Sequence, residues 1–298
     1  MTKKQKQNFI KGIITVICLG LLALFWFVIK PMLAPTYEVP EGTAEFHFID
    51  VGQGDATLIK VGDKNILIDT GEKSEEQALL SYLDSHGVVS IEYFVITHFD
   101  SDHFGNGVKV LEAYDVKNLL IPDQVKTTKT YEKFIEKAQE QKDKGDIEIL
   151  NANTMIEEKI TVNSLELTVL APLKNNYKDS NDYSVVLMAR YGNKRVLLTG
   201  DAEKEAEADI VERYNASDLD CDVYKLGHHG SRTSSSKELL QYSTPEYAII
   251  SCGVDNDYGH PHKEALDRVS GMQIYRTDIQ GTVVLSIAND VISVTTEK

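Results

Sequence analysis

The segment Thr97–Asn106 reads THFDSDHFGN and holds two histidines and two aspartates within six consecutive positions. It follows the apolar stretch IEYFVI, which predicts a buried strand that ends at this polar run. His98, Asp100 and Asp102 are spaced two positions apart, so an extended backbone would turn their side chains to one side. His103 would then point in another direction, and ligands in two directions suit two metal ions. Imidazole and carboxylate groups are typical ligands of zinc, manganese or iron. For any one of these residues alone, the alternative to metal binding is a place in a solvated polar loop.

Further ligand-type residues follow other apolar segments. VLLTGD ends at Asp201, and VYKLGHHGS places His228 and His229 after the next predicted strand. DNDYGHPH adds His260 and His262. Because residues at the carboxyl ends of strands commonly build sites, we expect these clusters to meet the first run.

Strand-like segments occur in two sets with helical segments between them. AEFHFIDVG, ATLIKV, KNILIDTG, IEYFVITH and VKNLLIPD form the first set, and residues 130–144 form a charged helix. SLELTVLAP, SVVLMARYG, KRVLLTGD, EYAIISCG, MQIYRT and GTVVLSIA belong to the second set. The pattern fits an α/β domain of two packed sheets flanked by helices, although periodicity alone does not distinguish it from other α/β arrangements.

The combined motifs resemble the metallo-β-lactamase superfamily, whose metal-binding motif commonly reads HxHxDH. THFDSDHFGN matches that motif, and LLTGD and HHGS follow in the expected order. FHFIDVGQGDATLI and NILIDTG resemble the first strands of one branch, which includes the hydrolase domain of ComEC-type competence proteins and the phosphorylcholine esterases that act on teichoic acids. The resemblance covers about residues 44–286 and implies an αββα sandwich with a two-metal site between the sheet edges.

The resemblance also implies which residues hold two divalent metal ions, zinc or manganese. His98 and Asp100 would hold the first ion, and Asp201 would bridge both. The second ion would be held by Asp102, His103 and His228. His229 is the alternative to His228, because the sequence does not say which of the adjacent pair faces inward; we favour His228.

The histidine that usually completes the first metal position is missing, because no histidine lies between His103 and His228. The matching segment SNDYS offers Asn181 and Asp182 instead. We therefore expect oxygen-rich ligands at the first ion, with weaker binding or a preference for manganese.

The two-metal arrangement implies hydrolysis by a water that both cations share and acidify. Asp102 and His260 are the candidate catalytic residues, with His260 as proton donor or leaving-group contact; a loop-stabilising role for His260 is the alternative. His229, Ser231 and Arg232 are candidate contacts for a phosphate substrate, although the serines of HHGSRTSSS would also suit a helix cap.

Four more polar residues are expected to orient the metal ligands by hydrogen bonds without contacting the metal: Asp50, Asp55, Asp69 and Asn181. Formation of the tight glycine-rich turn DVGQGDA would by itself explain Asp50 and Asp55.

The formal net charge of the 298-residue chain is −15, which disfavours general nucleic-acid binding because phosphate contacts normally come from lysine and arginine. The three cysteines form no CxxC pair, so a zinc knuckle or disulfide scaffold is not expected.

The N-terminal region predicts a membrane anchor. Residues 12–30 contain the uncharged stretch GIITVICLGLLALFWFVI, long enough to cross a hydrocarbon core of roughly 30 Å. Four lysines lie in residues 1–11, so we expect these residues in the cytoplasm and the rest outside the cell membrane. A cleaved signal peptide is the alternative. Residues 31–43 contain three prolines and predict a linker, followed by a hydrolase domain over residues 44–298.

The leading hypothesis is therefore a single-pass, membrane-anchored, extracytoplasmic metal-dependent hydrolase, most specifically a phosphodiesterase. The resemblance to the ComEC branch implies DNA as the substrate, and the resemblance to the teichoic-acid esterases implies an envelope phosphodiester. A non-catalytic binding protein on the same fold is the alternative from another class.

Overall fold

The computed structural model describes residues 37–298, and residues 38–298 form one compact unit. The described residues contain fifteen strands: β1 (Thr43–Phe48), β2 (Thr57–Val61), β3 (Lys64–Ile68), β4 (Ser90–Val95), β5 (Asp115–Ile121), β6 (Glu148–Asn151), β7 (Lys159–Val162), β8 (Leu165–Ala171), β9 (Val186–Tyr191), β10 (Lys194–Leu198), β11 (Val223–Lys225), β12 (Tyr247–Ile250), β13 (Gln273–Arg276), β14 (Val283–Ala288) and β15 (Val291–Thr296).

The strands form two mixed sheets. The eight-stranded sheet has the order β15-β14-β1-β2-β3-β4-β5-β6, and the seven-stranded sheet has the order β13-β12-β11-β10-β9-β8-β7. From β3 to β6 neighbouring strands are parallel, as they are from β10 to β13. The carboxyl ends within each parallel block therefore meet at one sheet edge, where polar residues can converge.

Nine α-helices connect these strands: α1 (Glu76–Ser85), α2 (Ser101–Phe104), α3 (Gly107–Ala113), α4 (Lys129–Lys144), α5 (Lys204–Arg213), α6 (Ala216–Leu219), α7 (Lys237–Ser243), α8 (Lys263–Arg268) and α9 (Thr277–Gln280) among the described residues. The charged helix predicted over residues 130–144 is confirmed as α4. The side chain of Thr128 caps its first turn by accepting a hydrogen bond from the N–H of Tyr131, and Gly145 ends it with a left-handed φ of 80°.

Three apolar clusters show how the layers pack. One lies between the two sheets and includes Phe46 and Leu167. The second joins the outer face of the first sheet to α1, α3 and α4, with Phe94 against Phe134. The third joins the outer face of the second sheet to α5, α7 and α8. This helix–sheet–sheet–helix arrangement confirms the predicted two packed sheets flanked by helices.

One strand assignment was wrong. The segment GTVVLSIA was expected in the second set, but β14 lies in the first sheet, where Val283–Ala288 pairs with Thr43–Phe48. The edge of β1 opposite β2 would otherwise expose backbone N–H and C=O groups together with the apolar side chains of this strand, and β14 covers it.

The predicted cytoplasmic segment 1–11, the predicted membrane anchor 12–30 and residues 31–36 of the predicted linker lie outside the described residues. Within residues 37–298, no helix has both the length and the apolar character needed to cross a bilayer.

Candidate metal centre

The polar runs converge where the carboxyl ends of the parallel strands meet. The THFDSDHFGN run follows β4, Asp201 follows β10, the histidine pair follows β11 and His260 lies in the loop after β12. The backbone stays extended to Asp100, and α2 begins at Ser101. Asp102 and His103 therefore lie in a helical turn, which gives them a different direction from His98 and Asp100.

A buried group of four ligand-type residues forms the centre of this convergence. One ligand atom from each of Asp55, His103, Asp201 and His229 lies within 4.8 Å of the others. Nε2 of His103 lies 3.2 Å from Oδ2 of Asp201, and Nε2 of His229 lies 3.4 Å from the same oxygen. Asp102 borders the group, with its Oδ2 3.2 Å from Nε2 of His229.

Several buried polar atoms in this group and in neighbouring His98 have no hydrogen-bond partner. They are Oδ1 of Asp55, Nε2 of His98, Nε2 of His103 and Oδ1 of Asp201. Most buried polar atoms in proteins are hydrogen-bonded, so a convergence of four such exceptions requires an explanation. Nitrogen and carboxylate oxygen atoms are the donor set of zinc and manganese, and the residues present therefore fit a divalent metal ion.

Asp69 orients His103 from outside the group. Its Oδ2 lies 2.7 Å from Nδ1 of His103, and both of its oxygens also accept hydrogen bonds from Thr97. With Nδ1 donating to Asp69, Nε2 is the nitrogen that faces Asp201, an arrangement typical of metal-binding histidines. Asp69 therefore contacts a candidate ligand, and its supporting role stays a prediction.

The structure places His229, rather than His228, in the buried group, and the preference for His228 is corrected accordingly. Nδ1 of His229 lies 3.1 Å from the carbonyl oxygen of Ser251, which directs Nε2 inward. His228 is half-buried, its Nδ1 lies 2.9 Å from Oε1 of Glu203, and its Nε2 is 3.8 Å from Asp201. Both histidines have left-handed backbones, with φ of 51° and 54°, so the tight turn GHHG turns two adjacent side chains in different directions.

Asp100 lies on the more open side, with Oδ2 3.9 Å from Nε2 of His98. Its Oδ1 accepts hydrogen bonds from Nζ of Lys126 and the hydroxyl of Ser180, each at 2.7 Å. Burial raises the pKa of Asp100, but His98 and then Lys126 and Ser180 outweigh it, and the pKa is lowered. Neither Lys126 nor Ser180 was singled out from the sequence.

The two residues offered for the missing histidine have different surroundings. Asn181 borders the cavity with its amide 3.3 Å from Nδ1 of His228. Oδ1 of Asp182 accepts hydrogen bonds from the backbone N–H groups of Glu203 and Ala206 at the start of α5. Asp182 therefore caps a helix, and its prediction as a ligand is not supported by this geometry.

The two aspartates of the glycine-rich turn differ. Asp55 is buried beside the ligand group, and its Oδ2 lies 2.5 Å from Nζ of buried Lys225, a partner that the sequence did not reveal. Asp50 accepts from the N–H of Gly52 and lies 3.7 Å from Nζ of Lys298, so it stabilises the turn instead of orienting a ligand.

A methyl group added at Gly54 would lie 2.6 Å from the backbone oxygen of Asp102, which explains why a glycine is needed there.

A cavity of about 390 Å³ opens beside the ligand group, and its lining includes Phe99, Lys126, Tyr258 and His260. Ser231 and Arg232 are not among the described residues that line it. The hydroxyl of Ser231 instead pairs with that of Thr233 at 2.8 Å, and the N–H of Arg232 donates to Nδ1 of His262. The predicted substrate contacts of Ser231 and Arg232 are therefore not supported by this geometry.

His260 faces this cavity with a defined hydrogen-bonding pattern. The amide of Gln53 donates to its Nδ1 at 3.4 Å, while the N–H of Gly253 donates to Oε1 of Gln53 and fixes that amide. Burial, followed by the charges of His229 and His228, lowers the pKa of His260 to about 4. At neutral pH the ring is therefore neutral, with its proton on Nε2.

Burial and neighbouring charges together lower the pKa of one of the other buried imidazoles at the site and raise the pKa of two. Burial and the charge of His103 lower the pKa of His98 to about 4, so this ring is neutral and suited to metal binding. Burial also lowers the pKa of His103 and His229, but nearby carboxylates, Asp201 first, outweigh it and raise both pKa values. A metal ion would compete with these protons for the same nitrogen lone pairs.

Comparison with known proteins adds three findings. Residues 49–254 match the metallo-beta-lactamase superfamily. The chain is 30% identical over 275 residues to ComE operon protein 3 of Bacillus subtilis, covering 86% of this chain and 34% of that protein. It is also 30% identical over 248 residues to Competence protein ComA of Neisseria gonorrhoeae, covering 82% of this chain and 32% of that protein. The chain thus spans about a third of the length of these curated relatives.

Among solved structures, the metallo-beta-lactamase fold protein YhfI from Bacillus subtilis matches with a TM-score of 0.54 at 11% identity, covering 85% of this chain and 100% of that one. At this identity the match concerns the fold alone.

Proposed function

Because the chain belongs to the metallo-β-lactamase superfamily, we propose that it is a metal-dependent hydrolase, and most specifically a phosphodiesterase. The observation that carries this proposal is the buried group of Asp55, His103, Asp201 and His229 beside an open cavity, in which one polar atom of each of the first three residues lacks a hydrogen-bond partner. A merely structural polar cluster would satisfy these atoms internally.

In this proposal Asp102, His103, Asp201 and His229 hold one divalent ion, with Asp55 facing the same space. His98 and Asp100, whose Nε2 and Oδ2 atoms lie 3.9 Å apart, offer a second position. A divalent ion, zinc or manganese, acts as a Lewis acid and lowers the pKa of water toward neutrality. Asp69 keeps His103 in the tautomer that leaves Nε2 free.

His260 is the proposed contact for the leaving group. Because Gln53 donates to Nδ1, the Nε2–H of His260 is available to donate a hydrogen bond into the cavity. A neutral ring that donates in this way stabilises the negative charge that develops on a leaving oxygen. Since its pKa is about 4, His260 contributes as a hydrogen-bond donor at neutral pH rather than as an imidazolium acid.

We propose DNA as the substrate, in a competence-related process, for two reasons. Relatives of similar sequence carry the names of competence proteins. In addition, Tyr258 is 64% exposed and lies at the cavity, with its ring stacked on His260 at a centroid distance of 5.6 Å. An exposed aromatic ring beside a phosphate-cleaving site provides a surface on which a nucleobase stacks.

The net charge of −15 disfavours binding of a polyanion such as a nucleic acid. An envelope phosphodiester such as a phosphorylcholine-substituted teichoic acid is therefore the second candidate substrate. We further propose that residues 12–30 anchor the protein in the cell membrane and that the hydrolase domain lies outside the cytoplasm.

The test is hydrolysis by the full-length protein, purified in detergent, with zinc or manganese. The substrates are single-stranded DNA, double-stranded DNA, bis-p-nitrophenyl phosphate and p-nitrophenyl phosphorylcholine. We expect DNA cleavage that is lost in His229→Ala and retained in His86→Ala, a control histidine in the turn after α1.

Cleavage of the choline ester alone would select the envelope substrate. Metal binding without any hydrolysis would instead support a non-catalytic binding protein. Absence of metal binding by the wild-type protein would refute the metallohydrolase proposal itself.

A further inference from the structure

Lys126 is the residue with the least expected position in the cavity. Among the described residues that line it, Lys126 is the single lysine or arginine. Its Nζ lies 2.7 Å from Oδ1 of Asp100 and 2.5 Å from the hydroxyl of Ser180. A cation thus contacts the carboxylate at the point where the HxHxDH motif commonly has a neutral imidazole.

Other contacts fix this arrangement. The side-chain oxygen of buried Gln124 accepts from the N–H of Phe99 at 2.8 Å, and its amide donates to the carbonyl oxygen of Ser180 at 3.0 Å. The segment between β5 and α4 is thereby joined both to the metal-binding run and to the SNDYS segment. The hydrogen bonds of Gln124 thus fix the backbone on both sides of the contact, and the ion pair of Lys126 with Asp100 does not depend on a flexible surface loop.

The two proposed metal positions differ as a result. At the first, Asp102, His103 and His229 include two buried histidines, and the lysine nearby, Lys225, is paired with Asp55 and not with any of these three residues. At the second, Asp100 is itself paired with a cation and its side chain is 37% exposed. A carboxylate that is paired with an ammonium group attracts a second cation less, and the ammonium also repels a divalent ion directly.

We propose that Lys126 makes the two metal positions unequal, so that the ion at Asp102, His103 and His229 binds tightly and the ion at His98 and Asp100 binds weakly. This inference rests on the proposed metal-dependent function. It assigns Lys126 as a positioning residue whose ion pair with Asp100 weakens the second metal position and hence sets the metal stoichiometry at limiting metal concentration.

The substitution Lys126→Met tests the charge with little change in side-chain volume. The hydroxyl of Ser180 still donates to Oδ1 of Asp100 at 2.7 Å, so the carboxylate keeps one fixed partner. Lys126→Arg retains the positive charge. Lys129→Met is the matched control, because Lys129 lies at the start of α4 and does not line this cavity among the described residues.

The measurement is calorimetric titration of metal-free full-length protein with manganese, combined with elemental analysis after gel filtration. We expect one tight and one weak equivalent in the wild-type protein, Lys126→Arg and Lys129→Met. In Lys126→Met the weak equivalent should bind about tenfold more tightly or better, while the tight equivalent changes less than about threefold.

Two wild-type equivalents of equal affinity would overturn the inference, and so would a weak equivalent that is unchanged or weaker in Lys126→Met. A single equivalent that persists in both proteins would also overturn it, whereas a second equivalent seen only in Lys126→Met would support it. Absence of any metal binding would refute the proposed function as well, so the two failures are distinguishable.

Discussion

The buried ion pair between Asp55 and Lys225 gives a quantitative prediction for the substitution Lys225→Met. Asp55 and Lys225 are 2% and 3% exposed, and their charged atoms lie 2.5 Å apart. Methionine fills a similar volume but removes the ammonium group. The carboxylate of Asp55 then remains buried near Asp201 without its cation, in the metal-free protein.

Removing one partner of a buried ion pair costs about 3–5 kcal/mol, because the remaining charge is uncompensated. For a domain of this size each kcal/mol lowers the melting temperature by roughly 2–4 °C. We therefore expect Lys225→Met to melt about 6–20 °C below the wild-type protein when metal is chelated. A bound divalent ion would replace part of the missing positive charge, so the difference should shrink when manganese is added.

The assay is thermal and urea unfolding at pH 7, with chelator and with manganese. The double variant Asp55→Asn with Lys225→Met removes both charges and should recover most of the lost stability. Lys117→Met is the control, because its ion pair with Asp115 on β5 is exposed and should contribute little. A double variant as unstable as Lys225→Met, or a metal-free Lys225→Met within about 1 kcal/mol of wild type, would refute the argument from buried charge.

Three further predictions concern the ligand group and its frame. His229→Ala should lower metal affinity by more than about 100-fold and His228→Ala by about tenfold or less, measured by chelator competition; equal effects would contradict the assigned orientations. Gly54→Ala should destabilise the protein by about 1–3 kcal/mol in urea, whereas Gly271→Ala, which has open space around it, should stay within about 0.5 kcal/mol. Asp100→His should retain metal binding and shift the ratio of zinc to manganese activity toward zinc; an unchanged ratio counts against the account of this carboxylate.

The sequence predicted the layered fold through the resemblance of its motifs, and its apolar strand patterns fitted that fold without distinguishing it from other α/β arrangements. It did not reveal that GTVVLSIA belongs to the first sheet, since strand pairing over such a separation depends on which edge is free and not on local pattern. The short strands β6 and β7 were also not identified, because four-residue segments such as EILN and KITV carry too little periodicity.

The metal-binding motifs predicted where the site lies, but not every direction of its side chains. His228 and His229 are adjacent, and their left-handed backbones, which a sequence pattern does not encode, decide which ring faces Asp201. Asp182 has a carboxylate side chain that could bind a metal, but it caps α5, a role that depends on where that helix begins.

The two lysines at the site were missed for a physical reason. Lysine is normally solvated, so a lysine in VYK or in a polar loop gives no sign of burial. Lys225 is identified only by its partner Asp55, and Lys126 only by Asp100, and both partners are distant in the sequence. The HxHxDH motif therefore predicts ligands, whereas the cations that balance them are visible only in three dimensions.

The pairing of β1 with β14 has a consequence for synthesis on the ribosome. The strand β1 is translated first, but its neighbour across one edge, Val283–Ala288, follows only after β2 to β13. Throughout that interval the strand TAEFHF presents an open row of backbone groups to other nascent chains. The hairpin of β14 and β15 covers this exposed edge. Shortening the hairpin should therefore reduce the yield of folded protein in cells, although it changes no residue of the metal centre.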